Sequence, residues 1–171
     1  MLDRVEADRS RPLGRVLDIG CGRGARTMTL AARGWTAVGM DNVPRAIAAA
    51  QARNSTDATF VIADVTALPP ADLGTFDFLF DVGCLHGLDG DQLREAGRSL
   101  SAVARPGAAL LSHAAQPTQS WLVPVGMSRA DIEAAFADWD IVSVTPAPTE
   151  DLSRPLRRSA PQWYRLHRRP D

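Results

Sequence analysis

One pattern constrains this chain more than any other: short apolar runs alternate with longer amphipathic stretches. The runs lie at residues 15–19 (RVLDI), 35–41 (WTAVGMD), 58–64 (ATFVIAD), 76–83 (FDFLFDVG), 108–114 (AALLSHA), 140–145 (DIVSVT) and 162–168 (QWYRLHR). They are short and partly β-branched or aromatic, as strands are. Met28, Ala31 and Ala32 share a face in a segment over 25–33 that Gly34 stops. Pro44 suits the first turn of a helix running through Arg53. Leu93, Ala96, Leu100 and Val103 recur at helical spacing behind Asp89 or Asp91 as cap, with Arg105-Pro106-Gly107 as the stop. Ser128 opens a short helix in the pattern Ser-x-x-Asp. The stretches LPPADLGT and 146–161 read as loops.

Strands alternating with helices build βαβ units. The expected class is α/β: a single doubly wound domain over residues 1–171, with a mainly parallel seven-stranded sheet and helices on both faces. Residues 1–12 read as a short polar extension. In such sheets ligands bind at the carboxyl ends of the strands, near the point where strand order reverses. Chemistry is therefore expected just after residues 19, 41, 64, 81 and 113.

The first of these places reads VLDIGCGRGA. Gly20, Gly22 and Gly24 allow backbone to approach a ligand, and the helix that follows offers free N–H groups. With Ala25, the turn formally satisfies G-x-G-x-x-A, and Asp41 lies roughly twenty residues on, where a carboxylate can bind ribose hydroxyls. On spacing alone, a nicotinamide-dependent oxidoreductase survives. A phosphate-binding loop does not, because no Gly-Lys-Ser/Thr follows. Two further acids shift the balance. Asp18, just before the turn, would repel a pyrophosphate and suit an ammonium or sulfonium. Asp64, at the end of the third run, suits an exocyclic amine such as that of adenine. The pocket asks for a cationic, adenosine-containing ligand without phosphates, and S-adenosyl-L-methionine has that chemistry.

VLDIGCGRG, VGMD, ADV, FDFLFDVGCLHGL and the RPGA turn, in this order, resemble the successive motifs of class I S-adenosylmethionine-dependent methyltransferases. The resemblance covers about residues 13–145. The phrase DVGCLHGL and the small size resemble most closely the thiopurine and tellurite-resistance type acting on small molecules. The resemblance implies a Rossmann-like fold, S-adenosyl-L-methionine as cofactor and S-adenosyl-L-homocysteine as product. It implies that Gly20, Cys21 and Gly22 meet the methionine part, with Asp18 orienting it. Asp41 would take the ribose and Asn42 flank the adenine. Asp64 and Val65 would meet the adenine, and Asp81 and Val82 would border the site. Arg23 stands where a small residue or Thr is more usual. A fold that keeps the cofactor site without transferring a methyl remains an alternative.

Methyl transfer is an in-line displacement, and the enzyme mainly aligns the reacting atoms. Candidates for a base or substrate contact are His86, Asp81 and His113. His86 comes first because it follows the fourth strand and titrates near neutrality; it equally suits a capping role, and Asp81 a bracing one. Arg157 or Arg158 could pair with an anionic substrate, and Trp121, Trp163 and Tyr164 offer aromatic surface. Cys21 reads as a packing residue, and no metal is expected.

Composition narrows the partners. Formal net charge is −1, so there is no global case for nucleic acid or an anionic membrane. No apolar run approaches the ~18 residues of a span. Two cysteines and no apolar leader fit a cytoplasmic protein. The expected partner is a small-molecule methyl acceptor. With so little chain before the first strand, either the site is open, or residues 115–130 cover it, or a second copy does in a homodimer.

Overall fold

The computed structural model describes residues 1–7, 9, 11–118, 126–150 and 154–170. Trp121, and the middle of the stretch proposed to cover the site, lie outside the described residues.

Seven strands form one sheet: β1 (Arg15–Ile19), β2 (Thr36–Asp41), β3 (Thr59–Ile62), β4 (Phe76–Val82), β5 (Ala104–Ala114), β6 (Trp139–Pro146) and β7 (Gln162–Arg168). Their spatial order is β3-β2-β1-β4-β5-β7-β6. The pairs from β3 across to β5 are parallel, whereas β7 runs antiparallel to both β5 and β6. The order reverses between β1 and β4, so their carboxyl ends flank the crevice where an α/β sheet binds ligands.

Alternation along each strand sorts the core into two layers. Val16, Phe78, Phe80, Ala109 and Leu111 face one side, packed with Leu30 of α2 (Ala25–Ala32) and Ile47 and Ala50 of α3 (Pro44–Arg53). Leu17, Ile19, Leu79, Leu110 and Leu166 face the other, against α5 (Gly90–Val103) and α6 (Arg129–Ala135). The expected α/β fold, mainly parallel and covered on both faces, is the observed one. Both capped helices begin as their sequences read. Asp89 accepts the Gln92 N–H at 2.9 Å, Ser128 that of Asp131 at 3.2 Å, and each cap is reciprocated.

Three loop or extension readings are corrected. Residues 2–7 form α1, which is fixed by tertiary partners. Glu6 accepts from Arg33 Nε at 2.8 Å and Trp35 Nε1 at 3.0 Å, Asp3 pairs with Arg33, and Val5 is buried. LPPADLGT contains the single turn α4 (Pro70–Leu73), which begins at a proline and buries Leu73. The stretch 146–161 contains α7 (Arg154–Arg158). Several strand boundaries also move, two of them by more than one residue. β3 ends at Ile62, so Asp64 stands just beyond it; β5 begins at Ala104, with a register shift opposite Phe76 and Phe78.

Candidate functional site

The turn after β1 is built from backbone that side chains oppose. Gly20 and Gly22 have φ of +64° and +54°. A Cβ on Gly20 would lie 2.6 Å from the Cβ of Cys84, whereas one on Gly22 would meet nothing within 4 Å. The first glycine is therefore required for space as well as conformation. The second leaves open room above the turn.

Three carboxylates organise the turn and the neighbouring end of β4, and two of them are buried. Asp18 is 2% exposed and accepts the Thr27 hydroxyl at 2.6 Å, tying the end of β1 to the first turns of α2. Burial pushes its carboxyl up to about 6 against the pull of the Thr27 bond. Asp18 is thus a positioning residue whose charge is felt through the turn; its side chain does not line the cavity beside the turn. Asp81 is fully buried. It accepts Cys84 N at 2.9 Å, Leu85 N at 3.2 Å and Ser112 Oγ at 2.5 Å, and burial likewise pushes it up to about 6. Those bonds occupy both oxygens. Asp81 braces the end of β4 against β5 and is not placed to touch an acceptor.

The third, Asp41, ends β2 half-buried. Its Oδ2 accepts Gly22 N at 2.9 Å and its Oδ1 accepts Val43 N at 2.9 Å. Just beyond β3, Asp64 Oδ1 accepts both the N–H and the hydroxyl of Thr66, which hold its carboxyl below the usual range. Gly20, Asp41, Asn42, Asp64 and Val65 line one cavity of about 240 Å³ at the carboxyl ends of β1, β2 and β3. Five residues expected at a cofactor thus share one space. Cys21 does not line it, and its N–H donates to Met40 O at 2.8 Å. Val82 does not line it either, because it shares a face with Phe80 on the other side of the sheet.

The far wall comes from residues the sequence reading passed over: Thr66, Leu88, Gln92 and Glu95, with Cys84. Gln92 and Glu95 stand three apart on α5, so their helical spacing was the available signal. Burial pushes the thiols of Cys21 and Cys84 up to about 12, with the surrounding carboxylates adding to it. Both stay protonated and unreactive at neutral pH.

The two histidines separate. His86 is 9% exposed in the 3-10 turn after β4, and its Nδ1 accepts Ala115 N at 3.1 Å. That bond places the ring proton on Nε2, where it can donate but not accept. Burial, and next the nearby His113 ring, hold its pKa below the usual value. The carbonyl of His86 accepts Gly126 N at 2.9 Å, and Ala115 O accepts Met127 N at 2.9 Å. His86 therefore clamps both ends of the stretch 115–127. This geometry removes the reason for ranking it first as a base.

His113, at the end of β5, lines a second cavity of about 930 Å³ together with Phe80, Val82 and Trp163. Burial, then the charge of Arg26, lowers its pKa, so it is neutral at pH 7. Arg157 donates to the carbonyl of Glu150.

Residues 16–107, more than half of the chain, match the family described as methyltransferase domain. The chain belongs to this family. A curated relative, 2-heptyl-1-hydroxyquinolin-4(1H)-one methyltransferase of Mycobacteroides abscessus, is 37% identical over 99 residues, covering 56% of this chain and 43% of that protein. The chain thus spans less than half the length of that relative. Among solved structures, an S-adenosylmethionine-dependent methyltransferase from Anabaena variabilis superimposes with a TM-score of 0.79 at 17% identity, covering 98% of this chain and 82% of that one. The N-methyltransferase NodS from Bradyrhizobium japonicum, in complex with S-adenosyl-L-homocysteine, superimposes with a TM-score of 0.75 at 21% identity, covering 91% of this chain and 78% of that one. These likenesses establish the methyltransferase fold. Among the described residues, no helix is long and apolar enough to cross a membrane.

Proposed function

We propose that the chain binds S-adenosyl-L-methionine and transfers its methyl group to a small molecule. The observation that carries this reading is the convergence of Gly20, Asp41, Asn42, Asp64 and Val65 on one cavity. At about 240 Å³ the cavity is smaller than the ~300–1,000 Å³ of pockets that enclose a drug-sized ligand. That space suits a nucleoside part. Its acids match a ligand without phosphates, and the room above Gly22 leaves space for an amino-acid tail. The family and the curated relative's hydroxyquinolinone acceptor support methyl transfer to a small molecule.

When bound, S-adenosyl-L-methionine supplies an electrophilic methyl on a sulfonium. The chain's own residues do the rest. Asp41 would hold the ribose, Asp64 and Val65 the adenine, and Gly20 and Gly22 the methionine part through backbone. Asp18 and Asp81 keep the turn and the β4 end in place. His113, half-buried near the end of β5, is the side chain suited to contact an acceptor.

Calorimetry with S-adenosylmethionine, S-adenosylhomocysteine and NAD tests this. Both sulfur ligands should bind and NAD should not; binding of NAD alone would overturn the proposal. Release of S-adenosylhomocysteine in a screen of phenols, thiols and amines then separates an enzyme from a binding protein.

A further inference from the structure

The larger cavity contains none of Gly20, Asp41 or Asp64, and its chemistry differs from theirs. Its floor is a row across four strands. In the sheet register Val82 is beside His113, His113 beside Trp163, and Trp163 beside Thr145, and all four line the space. Phe80 lies one step below Val82 on the same face and stacks on Trp163, with centroids 6.3 Å apart and planes inclined by 13°. His113 meets the same indole edge-on at 4.9 Å. Trp163 and His113 are half-buried, whereas Phe80 is buried, so the indole offers the open ring face with Phe80 supporting it and the imidazole standing at its edge.

The charge above it is positive. Three guanidinium groups, Arg4, Arg26 and Arg33, and one carboxylate, Asp3, line the cavity. Asp3 and Glu6 already pair with Arg33. Among the described residues, Arg4 and Arg26 form no ion pair. Arg26 stands in the first turn of α2, directly after the glycine turn, and its charge acts on His113. The cavity therefore meets the glycine turn at a cation that forms no ion pair.

We infer that this cavity is the acceptor site and that it takes a planar aromatic acid, bound as its anion with the ring on Trp163 and the negative group against Arg26 beside His113. An apolar aromatic ring matches the exposed indole, and an anion meets a guanidinium that forms no ion pair and feels the carboxylates of Asp18 and Asp81 only from within the fold. The word acceptor rests on the proposed methyl transfer; the ligand class rests on the cavity itself.

The test is calorimetry on the full chain with 2-naphthoate, 2-naphthalenemethanol and cyclohexanecarboxylate, each with and without S-adenosylhomocysteine. Naphthoate should bind most tightly of the three. Arg26→Gln should weaken it at least about tenfold, and Arg26→Lys should recover part of the loss. S-adenosylhomocysteine binding by each variant serves as the control for an intact fold. The inference is overturned if naphthoate fails to bind a chain that binds S-adenosylhomocysteine. It is equally overturned if the neutral alcohol binds as tightly, or if Arg26→Gln leaves naphthoate affinity unchanged. Failure of S-adenosylhomocysteine itself would count against the proposed function, and the naphthoate comparison would still decide the ligand class.

Discussion

Asp41 Oδ2 accepts the N–H of Gly22 at 2.9 Å, so the carboxylate expected to hold a ribose also holds the turn that would hold the methionine part. One side chain thus ties the ends of two neighbouring strands to each other. Asp41→Ala should weaken S-adenosylhomocysteine binding by about 2 kcal/mol or more, the scale of lost charge-assisted bonds. Asp41→Asn keeps one acceptor oxygen for the two backbone donors and should lose affinity with a smaller drop in melting temperature. Calorimetry and thermal unfolding of both variants check this. Unchanged affinity in both would remove Asp41 from the site.

Asp18 predicts a pH dependence with a definite sign. Its folded pKa, about 6, lies above the unfolded value of 3.8, so the ionised form is disfavoured by folding. The stability linked to this group is full below the unfolded value and is lost as pH rises through 6. Asp18→Asn can still accept from Thr27 and carries no charge. It should be more stable than the parent by up to about 3 kcal/mol at pH 8, with the gap closing toward pH 5. Urea unfolding of both proteins across that range measures the gap. A gap that widens on acidification would contradict the assignment.

His86 acts in the opposite sense. Its pKa is held below 6.5, and protonation would turn the Nδ1 acceptor into a donor facing the Ala115 N–H. The stability it contributes is therefore present at neutral pH and falls as pH drops below 6.5. His86→Ala leaves a buried N–H without its partner and should cost about 1–3 kcal/mol. Amide hydrogen exchange should speed up at Ala115 and Gly126 in the variant. Slow exchange at both would show that the clamp is not needed.

The thiols give a simpler expectation. With pKa values near 12, Cys21 and Cys84 carry about one part in ten thousand as thiolate at pH 8. Alkylation by iodoacetamide at that pH should be far slower than for a free thiol, and urea should restore the ordinary rate. Rapid labelling of the folded chain would show that one of them is activated.

Much of the fold was legible because local and global demands agree. The strands announce themselves by short apolar runs, and Asp89 and Ser128 cap helices as their sequences say. Gly20, Asp41, Asp64 and Val65 were legible because strand ends in such sheets converge. What sequence left open is the direction in which a side chain is used. Asp18 and Asp81 look like site acids, yet their partners Thr27 and Ser112 come from other elements and draw them inward. His86 looks like a base until Ala115, from the next strand's end, takes its nitrogen. The short α1 was illegible for the same reason, since Arg33 and Trp35 hold it from across the fold.

The reversed direction of β7 has a consequence for how such a protein can vary. Because β7 enters between β5 and β6 antiparallel, its first residues, Gln162 and Trp163, stand at the rim beside Ala114 and His113, while Arg168 is carried to the opposite edge. The rim is thus assembled from two separate lengths of chain. The part through α5 supplies the smaller cavity, and the part after β5 supplies Thr145, Pro146, Pro148 and Trp163 to the larger one. Changes confined to that later length can re-shape the larger cavity without touching the residues that line the smaller one, so the two spaces can be inherited, and engineered, one at a time.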